Sequence, residues 1–250
     1  MITLRSVLFA IVFYLNTAFF LVAGAPLLFT PRRWAMAGLT AHALTSIWWL
    51  RLICNVRLEV RGLEKLPKGA ALIASKHQSA WDTFGLTPLL HDPAIIMKAE
   101  LFRIPLYGWF SRKFKMIGVR REARGAALRA MLREARERAA AGRHVLIFPE
   151  GTRAAPGGPP DYKPGVLLLY EGLGLPCCPV ALNTGMFWPR RSLRRNPGVM
   201  IVEVLDPIPP GLPRKEFSTR LQTAIEEATA RLVHEAAAKS RSASAIMSVK

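Results

Sequence analysis

The chain has 250 residues, with 35 Lys or Arg against 17 Asp or Glu, a formal net charge of +18, yet its mean hydropathy is +0.20. A disordered polycation would hold fewer apolar residues and a nucleic-acid-binding domain is seldom net hydrophobic, so both classes are set aside and no nucleic-acid partner is expected. The length suits one globular domain with an apolar appendage, and the three cysteines, Cys54, Cys177 and Cys178, match no zinc spacing and read as small buried hydrophobes.

The first segment is the appendage. No acidic residue precedes Glu59, while Arg5, Arg32, Arg33, Arg51 and Arg57 make this stretch basic. Val7 to Phe29 is apolar and long enough for a bilayer core, which needs roughly 20 residues. Trp34 to Leu50 is shorter and carries Thr40, His42, Thr45 and Ser46. Pro26 and Thr30-Pro31-Arg32-Arg33 break the two segments into a helical hairpin. Ala23-Gly24-Ala25 resembles a signal cleavage site, but the basic lead-in is a single Arg and a second apolar segment follows. A two-span anchor would put Arg32 and Arg33 across the bilayer from the basic body, against the positive-inside tendency. A re-entrant or interfacial hairpin keeps every Arg on one side and is favoured. The division expected is residues 1–54 as this membrane hairpin, 55–240 as the main domain and 241–250 as a flexible tail.

After Asn55, short apolar runs alternate with amphipathic ones. Strands are expected at Val56–Val60, Ala71–Ser75, Ala94–Met97, Lys115–Val119, Val145–Phe148, Cys178–Leu182 and Val199–Val204. The clearest helix is Ala123–Ala141, with Leu128, Met131, Leu132 and Ala135 on one stripe, and a second runs from near Glu216 to Lys239. The pattern predicts an α/β domain with a mixed, roughly seven-stranded sheet flanked by helices.

Polar chemistry gathers at the strand ends. In Lys76-His77-Gln78-Ser79-Ala80-Trp81-Asp82, His77 and Asp82 would lie about 140° apart on one helix. They can pair only if His77 sits on the strand-to-helix loop. Asp82 would then hold one ring nitrogen and leave the other as a general base. Ser79 to Asp82 also matches a capping box, which explains the Asp by helix-start chemistry alone, and taken by itself this second explanation is the favoured one. Phe148-Pro149-Glu150-Gly151-Thr152-Arg153 follows an apolar strand and can be a plain turn. Gly151 permits close backbone approach, and Thr152 and Arg153 can donate to an anion. Its position at the mouth of an α/β sheet favours a ligand.

The two motifs in this order resemble the glycerolipid acyltransferase superfamily, and are close to its bacterial 1-acylglycerol-3-phosphate acyltransferases. His77 and Asp82 match its His-x4-Asp block, Met116 to Arg121 its apolar block ending in Arg, Phe148 to Arg153 its Phe-Pro-Glu-Gly-Thr-Arg block, and Pro179 to Asn183 its Val-Pro-type strand. The resemblance covers roughly residues 55–210, and the hairpin is similar to the membrane-docking helices of bacterial members. Two positions depart. Lys76 stands where many members have Asn, and Arg120 where an Asp often precedes the Arg; register from Ile117 points to Arg121 rather than Arg120.

The resemblance implies direct transfer of a fatty acyl group from an acyl thioester, on acyl carrier protein or acyl-CoA, to the sn-2 hydroxyl of lysophosphatidic acid. No other cofactor and no metal is implied. His77 would be the base and Asp82 its orienting group. Lys98, Arg121, Thr152 and Arg153 would hold the acceptor, with Glu150, Gly151 and Pro179 shaping the pocket. The expected location is the cytoplasmic face of the bacterial inner membrane, with membrane lipids as partners. An acyltransferase for another lyso-lipid, such as a lyso-ornithine lipid, and a non-enzymatic basic membrane scaffold are the alternatives. The absence of a Gly-x-Ser-x-Gly elbow agrees with direct attack.

Overall fold

The computed structural model describes residues 2–120 and 125–247, with side chains described as far as Lys239. All seven expected strands form: β1 (Val56–Arg61), β2 (Ala71–Ser75), β3 (Ala94–Lys98), β4 (Ile117–Val119), β5 (His144–Ile147), β6 (Cys177–Leu182) and β7 (Gly198–Val204). They make one sheet in the order β1-β7-β6-β2-β5-β3-β4. β6, β2, β5, β3 and β4 are mutually parallel, whereas β7 pairs antiparallel with β6 and carries β1 parallel to itself. β4 starts two residues later than the sequence predicts. Lys115 adopts a positive φ of 56°, and its carbonyl accepts from Arg138 and Arg143, so the chain turns there before it extends.

The central strand β2 is buried on both faces. Ala71 and Ile73 join the core under the N-terminal hairpin, while Leu72 and Ala74 join the core under the helices opposite. This two-sided burial is what an inner parallel strand requires, and helices cover both faces accordingly. On the second face lie α5 (Ala126–Ala140), α6 (Gly165–Leu173) and α8 (Arg214–Met247). Short helices α3 (Asp82–Gly85), α4 (Tyr107–Lys113) and α7 (Thr184–Phe187) follow β2, β3 and β6. The last helix runs on past Lys239 to Met247, into the stretch expected to be a tail.

α1 (Ile2–Val22) and α2 (Arg32–Cys54) form the hairpin. Pro26 has no N–H to donate back, so the α-helix ends and the chain tightens into a 3-10 turn over Ala25–Phe29. Polar side chains set the register between the helices. The Asn16 amide donates to Thr45 Oγ1 at 3.1 Å and Ser46 Oγ at 3.0 Å. Thr17 Oγ1 spends its proton on the Phe13 carbonyl, so the 3.0 Å bond to His42 is made by the imidazole Nε2–H. Facing outward, Leu4, Leu8, Ile11, Leu15, Phe19 and Val22 recur every three to four residues and are all exposed, Leu4 by 75%. Leu44, Trp48 and Leu52 extend this apolar surface on α2.

Both ends of the hairpin are fastened to the α/β domain. At the open end, Phe9 and Phe13 each meet Trp188 edge-on at 5.2 Å, and Ser6 Oγ accepts from the Arg195 N–H at 2.8 Å. At the tip, Arg32 makes a two-pronged bond to Asp92. Asp92 in turn faces Arg143, a guanidinium only 2% exposed that donates to the carbonyls of Asp92, Pro93, Phe114 and Lys115. Arg32, expected on the same side as the basic body, is thus in contact with the α/β domain.

Arg143 thus closes a buried junction of α2, β3, β4 and β5. Arg143→Met leaves the carbonyls of Asp92, Pro93, Phe114 and Lys115 without this donor while the Asp92 carboxylate keeps Arg32, and is expected to cost about 3 kcal/mol. Thermal unfolding of the detergent-solubilised protein should show a midpoint lowered by about 10 °C.

Candidate active site

Three loops at the C-terminal ends of β2, β5 and β6 converge. Such a crevice at the carboxyl ends of parallel strands is where open α/β sheets bind ligands. The loop after β2 continues the sheet through the Lys76 N–H, which donates to Val180 O at 2.9 Å, and then leaves it at His77. The loop after β5 is pinned beside it: Ala154 N–H donates to His77 O at 2.7 Å, and the His77 ring stacks on Phe148 at 4.2 Å. The loop after β6 arrives through Thr184 and Gly185. A side chain at Gly185 would come within 2.9 Å of Gln78 and Pro156, so only glycine lets the strand ends approach this closely.

Asp82 sits at the centre and is fully buried. Its Oδ2 accepts from Gln78 N at 2.7 Å, Ser79 N at 2.8 Å and His77 Nδ1 at 2.9 Å. Its Oδ1 accepts from Thr184 Oγ1 at 2.7 Å. One Asp82 oxygen therefore both holds the His77 ring and accepts the Ser79 N–H, one of the two bonds of a capping box. The capping box is only half made, since Ser79 Oγ accepts from Trp81 N at 3.1 Å. A carboxylate on Nδ1 fixes the proton there and leaves the Nε2 lone pair free. His77 is on the wall of a cavity of about 880 Å³.

That cavity has two characters. His77, Lys98, Arg120, Thr152 and Lys163 line it with polar groups, while Phe13, Phe20, Leu39, Met131, Ile147 and Val166 line it with apolar ones. Phe13, Phe20 and Leu39 belong to the hairpin, which is thus a wall of the site as well as an appendage. Lys98, expected to contact substrate, is half exposed with Glu100 at 3.8 Å. Glu150 and Gly151 also line the cavity. Gly151 has a φ of +62° with only Lys163 near its missing side chain.

Other expected site residues fall elsewhere. Pro179 lies inside β6, paired with Ala74 of β2, and is not on the cavity wall. Arg153 is not on the wall either; its carbonyl accepts from Arg190. Arg121 lies outside the described residues, and it is Arg120 that lines the cavity. The sequence reading did not single out Lys163, Thr184 or Glu226. Lys163 follows a Pro- and Gly-rich stretch that reads as surface loop, and Thr184 stands one residue beyond the fourth block. Glu226 is a helix residue far along the chain whose arrival here is tertiary.

Behind His77 lies a buried ionic cluster. Lys76 Nζ donates to Glu150 Oε1 at 2.9 Å and to both carboxylate oxygens of Glu226 at 2.8 and 2.9 Å. Tyr162 OH donates to Glu226 at 3.0 Å. Burial pushes the Glu150 carboxyl above the usual carboxylate range, with Lys76 acting against that shift. The three cysteines are buried, none lines the cavity, and burial pushes the Cys178 thiol up to about 11.

The acyltransferase family model matches residues 57–183, just over half of the chain. The 1-acyl-sn-glycerol-3-phosphate acyltransferase of Pseudomonas aeruginosa is 36% identical over 159 residues, 64% of this chain and 62% of that protein. The chloroplastic 1-acyl-sn-glycerol-3-phosphate acyltransferase of Arabidopsis thaliana is 28% identical over 198 residues, 76% of this chain and 54% of that protein. The chain thus spans little more than half the length of these relatives. The crystal structure of the 1-acyl-sn-glycerophosphate acyltransferase of Thermotoga maritima has the same fold, with a TM-score of 0.79 at 22% identity over 93% of this chain and 98% of that one. The matched block contains His77, Asp82 and Glu150, and the chain belongs to the acyltransferase family.

Proposed function

We propose that the protein transfers a fatty acyl group from an acyl thioester to the sn-2 hydroxyl of 1-acylglycerol-3-phosphate, giving phosphatidic acid at a membrane surface. The observation that carries this reading is the His77 ring, held at Nδ1 by a fully buried carboxylate and free at Nε2 on the wall of a large cavity. Nε2 takes the hydroxyl proton as the oxygen attacks the thioester carbonyl. Asp82 offsets the charge that appears on the imidazole. The tetrahedral intermediate expels the thiolate, which takes that proton from His77, so ester and thiol are released and the base is restored. Direct attack fits the cysteines, which are kept as thiols by burial and are away from the cavity.

Lys98, Arg120 and Lys163 supply positive charge for an acceptor phosphate, and the apolar wall suits acyl chains. Similarity in name to the relatives supports lysophosphatidic acid as acceptor. The outward apolar stripe of α1, continued by Trp48 on α2 and by exposed Ile104 and Trp109 around α4, suits docking at the depth of the headgroups. Contact of the hairpin tip with Asp92 supports a hairpin that lies along the domain and enters one leaflet, which we propose is the cytoplasmic one. The net charge supports an anionic leaflet and an acidic acyl carrier as partners.

His77→Ala is expected to lower kcat for acyl-CoA and lysophosphatidic acid by about 10³-fold or more while vesicle binding is kept. Retention of full activity would sink the mechanism. Lys163→Ala should raise KM for lysophosphatidic acid by about 10-fold, the loss of one charge-assisted bond. With a phosphate-free lyso-lipid the same variant should match the wild type, and steady-state kinetics with both acceptors reads the difference.

A further inference from the structure

The cluster behind His77 contains two carboxylates and one ammonium. Lys76 is 2% exposed and Glu150 3%. Of the four carboxylate oxygens, three are engaged: Glu150 Oε1 and both oxygens of Glu226. The fourth, Glu150 Oε2, is buried and has no hydrogen-bond partner among the described residues. A buried acceptor left unpaired is costly, and native structures rarely keep one without a reason. Glu150 lines the same cavity as His77. A bound substrate can supply the missing donor.

We propose that Lys76 and Glu226 are positioning residues that lock the Glu150 carboxylate by one oxygen and thereby present the other to a donor group of the bound substrates. The proposal rests on the acyl-transfer reading above. Glu226 comes from α8, outside the segment that matches the family. The C-terminal helix is then part of the catalytic apparatus, reached through a lysine at the position immediately before the catalytic histidine. Without Lys76, Glu150 and Glu226 would face each other as like charges. The groups facing Glu150 are Lys76, Glu226, Tyr162 and His77. At low pH a proton shared by the two carboxylates would hold Glu150 in place. As pH rises the proton is lost and repulsion displaces it.

The test uses the full chain in mixed vesicles, with acyl-CoA, lysophosphatidic acid and three variants. Lys76→Met should lower kcat by about 100-fold, the scale of an ångström's misplacement, and raise KM for the substrate whose donor Glu150 accepts by no more than about 10-fold. Its kcat should fall more steeply with rising pH than that of the wild type. Adding Glu226→Gln removes the opposing charge. The double variant should recover at least about 10-fold in kcat and lose that pH limb, a coupling that independent sites would not show. Glu226→Gln alone, at a residue that reaches solvent, should fold with an unchanged melting temperature and lose about 10-fold in kcat. That variant decides the question if Lys76→Met fails to fold. Wild-type kcat in Glu226→Gln, or a double variant no better than Lys76→Met, overturns the proposal. A wild-type protein that makes no phosphatidic acid removes the reaction and the proposal together.

Discussion

The site depends on one buried charge. Asp82 has lost all contact with water and is tolerable only because four donors from two separate stretches of chain point at it. Desolvating a carboxylate costs several kcal/mol, and charge-assisted bonds of about 1.5–3 kcal/mol each must offset it together. Removing any one donor leaves the others worse off. The loop after β2 is therefore wrapped around Asp82, and the start of α7 is drawn against it through Thr184. The orientation of His77 is a by-product of that wrapping, since its Nδ1–H is one of the donors the carboxylate demands.

The same logic explains why the hairpin is inseparable from the chemistry. Phe13 packs against Phe84 and Trp188, which follow the two loops that meet at Asp82. Phe13 also lines the cavity into which His77 opens. Apolar side chains of α1, β3 and β5, Phe13, Ile96 and Ile147 among them, line that cavity together with the polar groups beside His77. Polar groups between α1 and α2, Asn16 with Thr45 and Ser46, hold this wall in register without breaking its outward apolar face.

Much of this was legible in the sequence, and the reasons differ by element. Strands buried on both faces, β2, β5 and β6, were legible because they read as short, dense apolar runs. Phe148 was expected in a strand and falls just outside it because Pro149 follows and cannot pair. His77 and Asp82 were legible as a pair only once they were taken off a common helix. Glu226 was not legible, because its partner Lys76 lies 150 positions away and nothing local marks the ion pair. Pro179 was assigned to the pocket by resemblance, but alternation along β6 sets it against its neighbour Ala74 in the sheet. Arg120 lies on the cavity wall directly after Val119 at the end of β4, while the expectation for Arg121 falls outside the described residues.

The reversed edge of the sheet also orders events in time. β1 follows α2 directly, yet as the edge strand its neighbour is β7, so residues 56–61 wait for residues 198–203. Arg61 on β1 likewise waits for Glu235. A ladder between such distant parts closes late, after the loops between them have been ordered. The apolar hairpin precedes every strand in the chain, so the surface it finally covers is assembled from residues that all follow it. Until that sheet has formed, the side chains of α1 and α2 that finally pack on it, Phe9 and Phe13 among them, are without their cover.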